Sequence, residues 1–487
     1  MKYRPDVDGL RAVAVIAVIA FHAFPDWAKG GFVGVDVFFV ISGYLISGII
    51  LDALQQDRFS FANFYARRIR RIFPALAVVL TACYVCGWFV LFADDYQQLS
   101  RHIAAGVAFV SNYVLWSESG YFEAAADTRP LQHLWSLGIE EQFYLAWPML
   151  LVLAWRTRLH PLGPAVFLLA ASFLLNVKEI RWDVVGTFYS PLTRLWELLT
   201  GAVLSAAVVS RTGWPTRPLE IVERFVGSRP YLREIGSAVG ITLIAMAVGV
   251  LDGGRLFPGL WALLPTIGTF AIVAAGPATW INRNLLAQSW LVWVGLISYP
   301  LYLWHWPLLS FSRIVQGETP AVLVRLAAVS SSVVLAALTY ELVERPIRHG
   351  PRRRFTVPVL CTVMVAVLAT AVVTYRAGGL FERPINRTDQ AHFVQYYEWM
   401  KKHGIDEAYR RGCDFMDWPS GHARETLDAA CTERGRRRTL FLWGDSFAQS
   451  LSLGIRSLLP PQDRLAQVAT SLCRPAFGEI DTHVPEG

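Results

Sequence analysis

Arg11 and His22 are the residues whose types and spacing suggest chemistry. Arg11 stands at the start of an apolar run, Leu10 to Phe24, within RPDVDGLRAVAVIAVIAFHAF, and His22 lies far inside it. On an α-helix eleven residues rise about 16 Å and turn through about 1100°, some 20° past three full turns. Both side chains therefore share one face. An ionisable group placed in hydrocarbon is costly unless it faces protein or water, so His22 reads as functional unless a neighbouring helix simply satisfies it. A neutral imidazole there would act as a general base or a nucleophile. A guanidinium at the mouth of the same groove would hold an anion.

Other stretches add candidates. Asp36 enters a second apolar run, GGFVGVDVFFVISGYLISG, whose glycines allow close backbone approach and room for a ligand; it reads equally as an acid at the wet end of a helix. In FANFYARRIRRIFPAL, Arg68 and Arg71 are three apart and share a helix face. Two guanidinium forks suit the phosphates of a nucleotide cofactor, although topogenic charge or lipid headgroups would use the same residues. Glu140 and Glu141, in PLQHLWSLGIEEQFYLAWP, lie well inside an apolar run, where packing alone does not explain carboxylates. One of them is expected to pair with Arg194 or Arg11, and His133 is expected near the outer surface. His305, between tryptophans in SYPLYLWHWP, resembles an interfacial belt as much as a site. Glu341 and Glu344 with Arg345 and Arg348 read as a helix end closed by charge.

The elements that position these groups are membrane helices. With 487 residues, 54% of them hydrophobic and 17% charged, the chain is too apolar for an ordinary soluble protein. Its net charge of +7 gathers in short arginine-rich segments between apolar runs, which marks a cytoplasmic side rather than a nucleic-acid surface. Runs near the bilayer length fall at about 10–28, 32–52, 74–92, 136–155, 163–177, 191–209, 235–251, 260–276, 290–312, 321–341 and 355–375. These eleven predict an α-helical polytopic protein with a ten-helix body and one further span. The segment 101–116 is read as re-entrant or interfacial. If it crossed, Arg156, Arg158, the loop Arg211 to Arg233, Arg283 and the cluster Arg348 to Arg354 would all lie outside, against the positive-inside rule. The N-terminus is then cytoplasmic. No small-residue cleavage site follows the first run, so that helix is expected to stay.

Beyond Tyr375 the chain becomes polar and is expected outside the cytoplasm. Residues 378–438 are weakly periodic. Arg438 to Trp443 reads as a buried strand, Gly444 to Ser446 as a tight turn and Ala448 to Leu459 as an amphipathic helix. Cys83, Cys86 and Cys361 sit in membrane runs as apolar filler, and no metal is expected. Cys413 pairs with Cys431 in this reading, leaving Cys473 without a partner.

Five boxes in order, RPDVDGLRAVAVIAVIAFHAF, GVDVFFVISGYLIS, RRIRRIFPAL, HLWSLGIEEQFYLAWP and ISYPLYLWHWPLL, resemble the acyltransferase-3 family of bacterial integral-membrane O-acyltransferases. The resemblance runs from about Tyr3 to Ile347. It implies that Arg11 and His22 form the essential Arg, ten residues, His motif of the first helix. The cytoplasmic Arg-x-x-Arg maps onto Arg68 and Arg71, or onto Arg67 and Arg70. It also implies an acyl-CoA donor, usually acetyl-CoA, and a carbohydrate acceptor across the bacterial cytoplasmic (inner) membrane: O-antigen, exopolysaccharide or peptidoglycan. Gly444-Asp445-Ser446-Phe447 resembles the first block of GDSL or SGNH hydrolases, with Ser446 as nucleophile. The expected organisation is an acyltransferase body at 1–350, an eleventh span at 351–377, an extracytoplasmic extension at 378–438 and the start of an α/β SGNH-like domain at 439–487. The later Asp-x-x-His block of that fold has no match, since His483 stands without the pattern. The second domain is therefore expected to be truncated. A transporter with a tethered glycan-binding or deacetylating domain is the reading from another class.

Overall fold

Within a bilayer a backbone must satisfy its own polar groups, and a helix does so within one segment. In the computed structural model a helix is found at each of the eleven apolar runs. Residues 3–119, 126–209, 230–252, 254–350, 355–388, 410–417, 422–424, 426–434 and 437–469 are described. The helices are α1 (Pro5–Ala23), α2 (Gly34–Gln55), α3 (Phe61–Val90), α4 (Ala93–Val107), α5 (Ser111–Glu118), α6 (Leu134–Arg156), α7 (Leu162–Glu179) and α8 (Val184–Tyr189). They continue with α9 (Pro191–Val209), α10 (Pro230–Val250), α11 (Leu263–Ala275), α12 (Ser289–Gln316), α13 (Val322–Thr339), α14 (Arg345–His349) and α15 (Thr356–Arg376). A π-helical turn, Tyr340–Glu344, joins α13 to α14.

Among the described residues six helices are long and apolar enough to cross a membrane: Gly31–Gln55, Phe61–Val90, Leu162–Glu179, Pro230–Val250, Val322–Arg348 and Thr356–Arg376. Four others, α1, α6, α9 and α12, have 19, 23, 19 and 28 residues, or about 28 to 42 Å of helix. The first three of these carry the ionisable residues Arg11, Glu140, Glu141, Arg194 and Glu197, and α12 carries His305. The run at 260–276 forms only the 13-residue α11. The segment 101–116 does not make one spanning helix either. It divides between α4 and α5, which are 15 and 8 residues long. Glu118 draws them together, pairing with Arg101 at 2.9 Å and with the His102 ring at 2.8 Å. Burial pushes the Glu118 carboxyl up, but the His102 hydrogen bond and the charges of Arg101 and Arg129 outweigh it and hold the group below its ordinary range.

Two crossings fix the body. Helix α2 lies against α9, and α1 lies against α12. A Cβ on Gly43 would stand 1.8 Å from the Leu198 carbonyl oxygen, and one on Gly201 would stand 1.9 Å from that of Val40. On the second crossing, a Cβ on Gly295 would meet the Asp8 carbonyl oxygen at 2.0 Å. Small residues let these helices touch through their backbones. Gly43→Val therefore forces α2 from α9. The expected cost is about 1–3 kcal/mol, read as a lowered thermal midpoint in detergent, whereas Gly249→Ala, whose Cβ meets nothing within 4 Å, leaves the midpoint unchanged.

The chain divides into two compact units, Met1–Arg383 and Pro384–Gly487. In the second, β1 (Met416–Asp417) pairs antiparallel with β2 (His422–Ala423). Strand β3 (Thr439–Gly444) and helix α16 (Ser446–Leu458) follow, and β4 (Arg464–Ala469) returns parallel to β3, Thr439 opposite Arg464 and Gly444 opposite Ala469. The expected strand, turn and helix are present, with Ser446 the first residue of α16, but the strand is not buried: among the described residues it stands in a two-stranded sheet, and Leu440, Phe441 and Trp443 are 48, 58 and 37% exposed. The Cys413–Cys431 disulfide is formed, and Cys83, Cys86 and Cys361 are free. Cys473 and His483 lie outside the described residues.

Candidate active site

Three cavities run along the α1 face that carries Arg11 and His22. The first, of about 170 Å³, is bordered by Arg11, Arg68, Arg71, Glu140, Glu141 and Tyr144. The second, about 140 Å³, is bordered by His22, Gln132, His133, Arg194 and a ring of aromatic side chains. Val35 and Tyr302 border both. The third, about 310 Å³, opens among Asp26, Asp127, Arg313 and Arg325 and shares Phe21, His22 and Trp306 with the second. His22 thus stands between a chamber reaching toward the arginines and a vestibule at the opposite end of α1.

The arginine cavity is electrostatically incomplete. Arg11 pairs with Asp8 one turn earlier at 3.3 Å. Arg68 pairs with Glu141 at 2.9 Å and lies 3.9 Å from the Tyr144 ring centroid. Ser42 and Tyr144 donate hydrogen bonds to Glu140. Arg71 borders the same space and, among the described residues, has no hydrogen bond and no ion pair within 4.0 Å, the Glu344 carboxyl acting on it from farther off. Of the two arginine pairs the sequence allows, Arg68 and Arg71 face the cavity; Arg67 is exposed. The expected pairing of Glu140 or Glu141 with Arg194 or Arg11 does not occur, because α3 places Arg68 beside α6.

Arg194 is instead sealed with Asp36 and Glu197, at 3.1 and 3.0 Å, all three side chains being at most 1% exposed. Asp36 is therefore not an acid at a wet helix end: the close α2–α9 crossing delivers Arg194 onto it. It borders none of the three cavities, and Arg194 does. Its neighbours, the rings of Phe39, Trp135, Phe188 and Phe257, lie within 5.8 Å of the guanidinium.

His22 lies in the last turn of α1, which ends at Ala23, rather than deep within a helix. Its Nδ1 meets Nε2 of His305 at 3.0 Å, and the His305 Nδ1 lies 2.7 Å from the Tyr302 carbonyl oxygen. A carbonyl only accepts, so with both rings neutral the His305 Nδ1 carries the proton and its Nε2 accepts. His22 must then donate through Nδ1, which leaves the lone pair on its Nε2. Among the described residues nothing occupies that nitrogen. A ring held in one tautomer by a fixed partner is a competent base or nucleophile. The Trp306 ring, 4.4 Å away between centroids, packs beside it.

His305 is fully buried, not interfacial, and His133 is 3% exposed. The ring centroids of His133 and His305 are 5.7 Å apart. The sequence signal for His305 was its place in the middle of a 28-residue helix, three residues beyond Tyr302, whose carbonyl it uses.

The fold and cavities define a multi-pass helical membrane protein with ionisable groups gathered between its helices. The chain belongs to the acyltransferase-3 family, whose profile, described as an acyltransferase domain, matches residues 4–341. It is 34% identical over 367 residues to YrhL of Bacillus subtilis (strain 168), provisionally named a peptidoglycan O-acetyltransferase, covering 73% of this chain and 56% of that protein. It is 32% identical over 366 residues to the peptidoglycan O-acetyltransferase OatA of Listeria monocytogenes, covering 72% and 56%. The chain spans about half the length of the curated relatives it matches. No solved structure matches it.

Proposed function

We propose that the chain is an O-acyltransferase that takes an acyl group, normally acetyl, from cytoplasmic acyl-CoA and passes it across the bacterial cytoplasmic membrane to a hydroxyl of a cell-wall polysaccharide. The observation that carries this reading is the line of three cavities, arginines at one end and a tautomer-fixed His22 between the other two. Arg71, with Arg68 and Arg11, holds the phosphates of CoA, and the pantetheine arm passes Val35 and Tyr302 to bring the thioester to His22. There Nε2 takes the proton of an acceptor hydroxyl, the hydroxyl oxygen bonds to the thioester carbonyl carbon, the C–S bond breaks, and the departing sulfur takes the proton from His22. The names of the relatives support a peptidoglycan acceptor. The second unit offers Ser446, the first residue of α16, as the competing hydroxyl acceptor.

Labelled acetyl-CoA supplied to vesicles with the protein's arginine face outward tests the proposal: label appears in enclosed glycan, whereas a carrier alone leaves the glycan unmodified. Arg71→Gln, which breaks no ion pair, raises the KM for acetyl-CoA about tenfold to a hundredfold, the worth of one charge-assisted hydrogen bond of about 1.5–3 kcal/mol. Its kcat stays near wild type. An unchanged KM would remove the phosphates from that cavity.

A further inference from the structure

The chamber beside His22 contains polar groups that the protein does not satisfy. His133 is 3% exposed and neither ring nitrogen has a hydrogen-bond partner; the Oε1 of Gln132 is likewise buried and unpaired. The Leu303 carbonyl lies beside the His133 ring without reaching hydrogen-bond geometry. Leaving such atoms dry costs about 1–3 kcal/mol each, so the chamber is built for a polar guest.

The kind of guest follows from donor and acceptor accounting. A neutral imidazole has one N–H and one lone pair. With the N–H turned to the Leu303 side, the free nitrogen of His133 and the amide oxygen of Gln132 are both acceptors. They need donors. The carbonyl of an acyl group has none, whereas neighbouring hydroxyls on a sugar ring supply several and can accept in turn. The chamber also shares Phe21 and Trp306 with the vestibule among Asp26, Asp127, Arg313 and Arg325. An aromatic wall leading to clustered polar groups suits the apolar and hydroxylated faces of a pyranose.

Resting on the function proposed above, we infer that this chamber is the acceptor subsite of the membrane unit, binding a polyhydroxylated sugar through Gln132 and His133 and presenting one hydroxyl to His22 Nε2. Ser446 offers the same chemistry as a hydroxyl, and pantetheine amides are the other source of donors, so the test separates all three.

The full chain in lipid nanodiscs is titrated with chitotriose, followed by tryptophan fluorescence, and separately with acetyl-CoA. Gln132→Leu and His133→Phe are expected to weaken chitotriose binding at least tenfold and leave acetyl-CoA affinity within twofold, which also shows that the variants fold. Gln132→Glu, which keeps an acceptor, retains sugar binding, and Ser446→Ala does not change it. Loss of acetyl-CoA affinity in the two apolar variants would assign the chamber to pantetheine and overturn the inference, as would unaltered sugar affinity or no sugar binding by wild type. Failure of the wild-type protein to bind acetyl-CoA would instead overturn the donor reading, which the sugar titration does not touch.

Discussion

His22→Ala is expected to lower acetyl transfer about a thousandfold with normal expression and an unchanged KM for acetyl-CoA. A positioned general base contributes about 10²–10⁴ in rate, and His22 is the residue that borders both the chamber and the vestibule with an open nitrogen. The loss should fall on kcat, since the groups placed to hold CoA lie in the separate arginine cavity. His305→Phe tests the tautomer argument. It removes the acceptor that keeps the proton on His22 Nδ1 while preserving an aromatic ring, so kcat should fall with the KM for acetyl-CoA unchanged. A variant His22→Ala that transferred acetyl at the wild-type rate would end the assignment.

Arg194→Met is expected to destabilise the body by about 3–5 kcal/mol, because it abandons two buried carboxyl groups without their counter-charge. Asp36 and Glu197 are both fully buried and face the same guanidinium. The triple variant Arg194→Met, Asp36→Leu, Glu197→Leu removes all three charges and should recover most of the lost thermal midpoint in detergent, since apolar replacement of a whole buried ionic cluster is often neutral or better. If the single variant were as stable as wild type, the three groups would not form the closed ionic unit that the α2–α9 crossing produces.

What the sequence disclosed and what it hid divide along a physical line. Helix period was enough to align Arg11 with His22 and Arg68 with Arg71, since both relations lie within one segment. Hydropathy located a helix at each of the eleven apolar runs, six of the described helices being long and apolar enough to cross a membrane, and turn chemistry located β3 and α16. Contacts between segments were not legible. Glu141 meets Arg68 rather than Arg194 because of how α3 and α6 approach. Arg194 meets Asp36 because glycines bring α2 and α9 into backbone contact. His305 looked interfacial beside Trp304 and Trp306, yet the indoles donate to Thr339 and to the Arg129 carbonyl, leaving the imidazole to turn inward. Pairing between helices depends on crossing angle and register, which a single chain of letters does not display.

The most direct test of the central claim is a structure of the protein with a non-hydrolysable acetyl-CoA analogue carrying a methylene in place of the thioester sulfur. The account predicts its phosphates against Arg68, Arg71 and Arg11, and its carbonyl carbon within reach of His22 Nε2. An analogue bound away from the arginine cavity, or a pantetheine arm turned from His22, would contradict it.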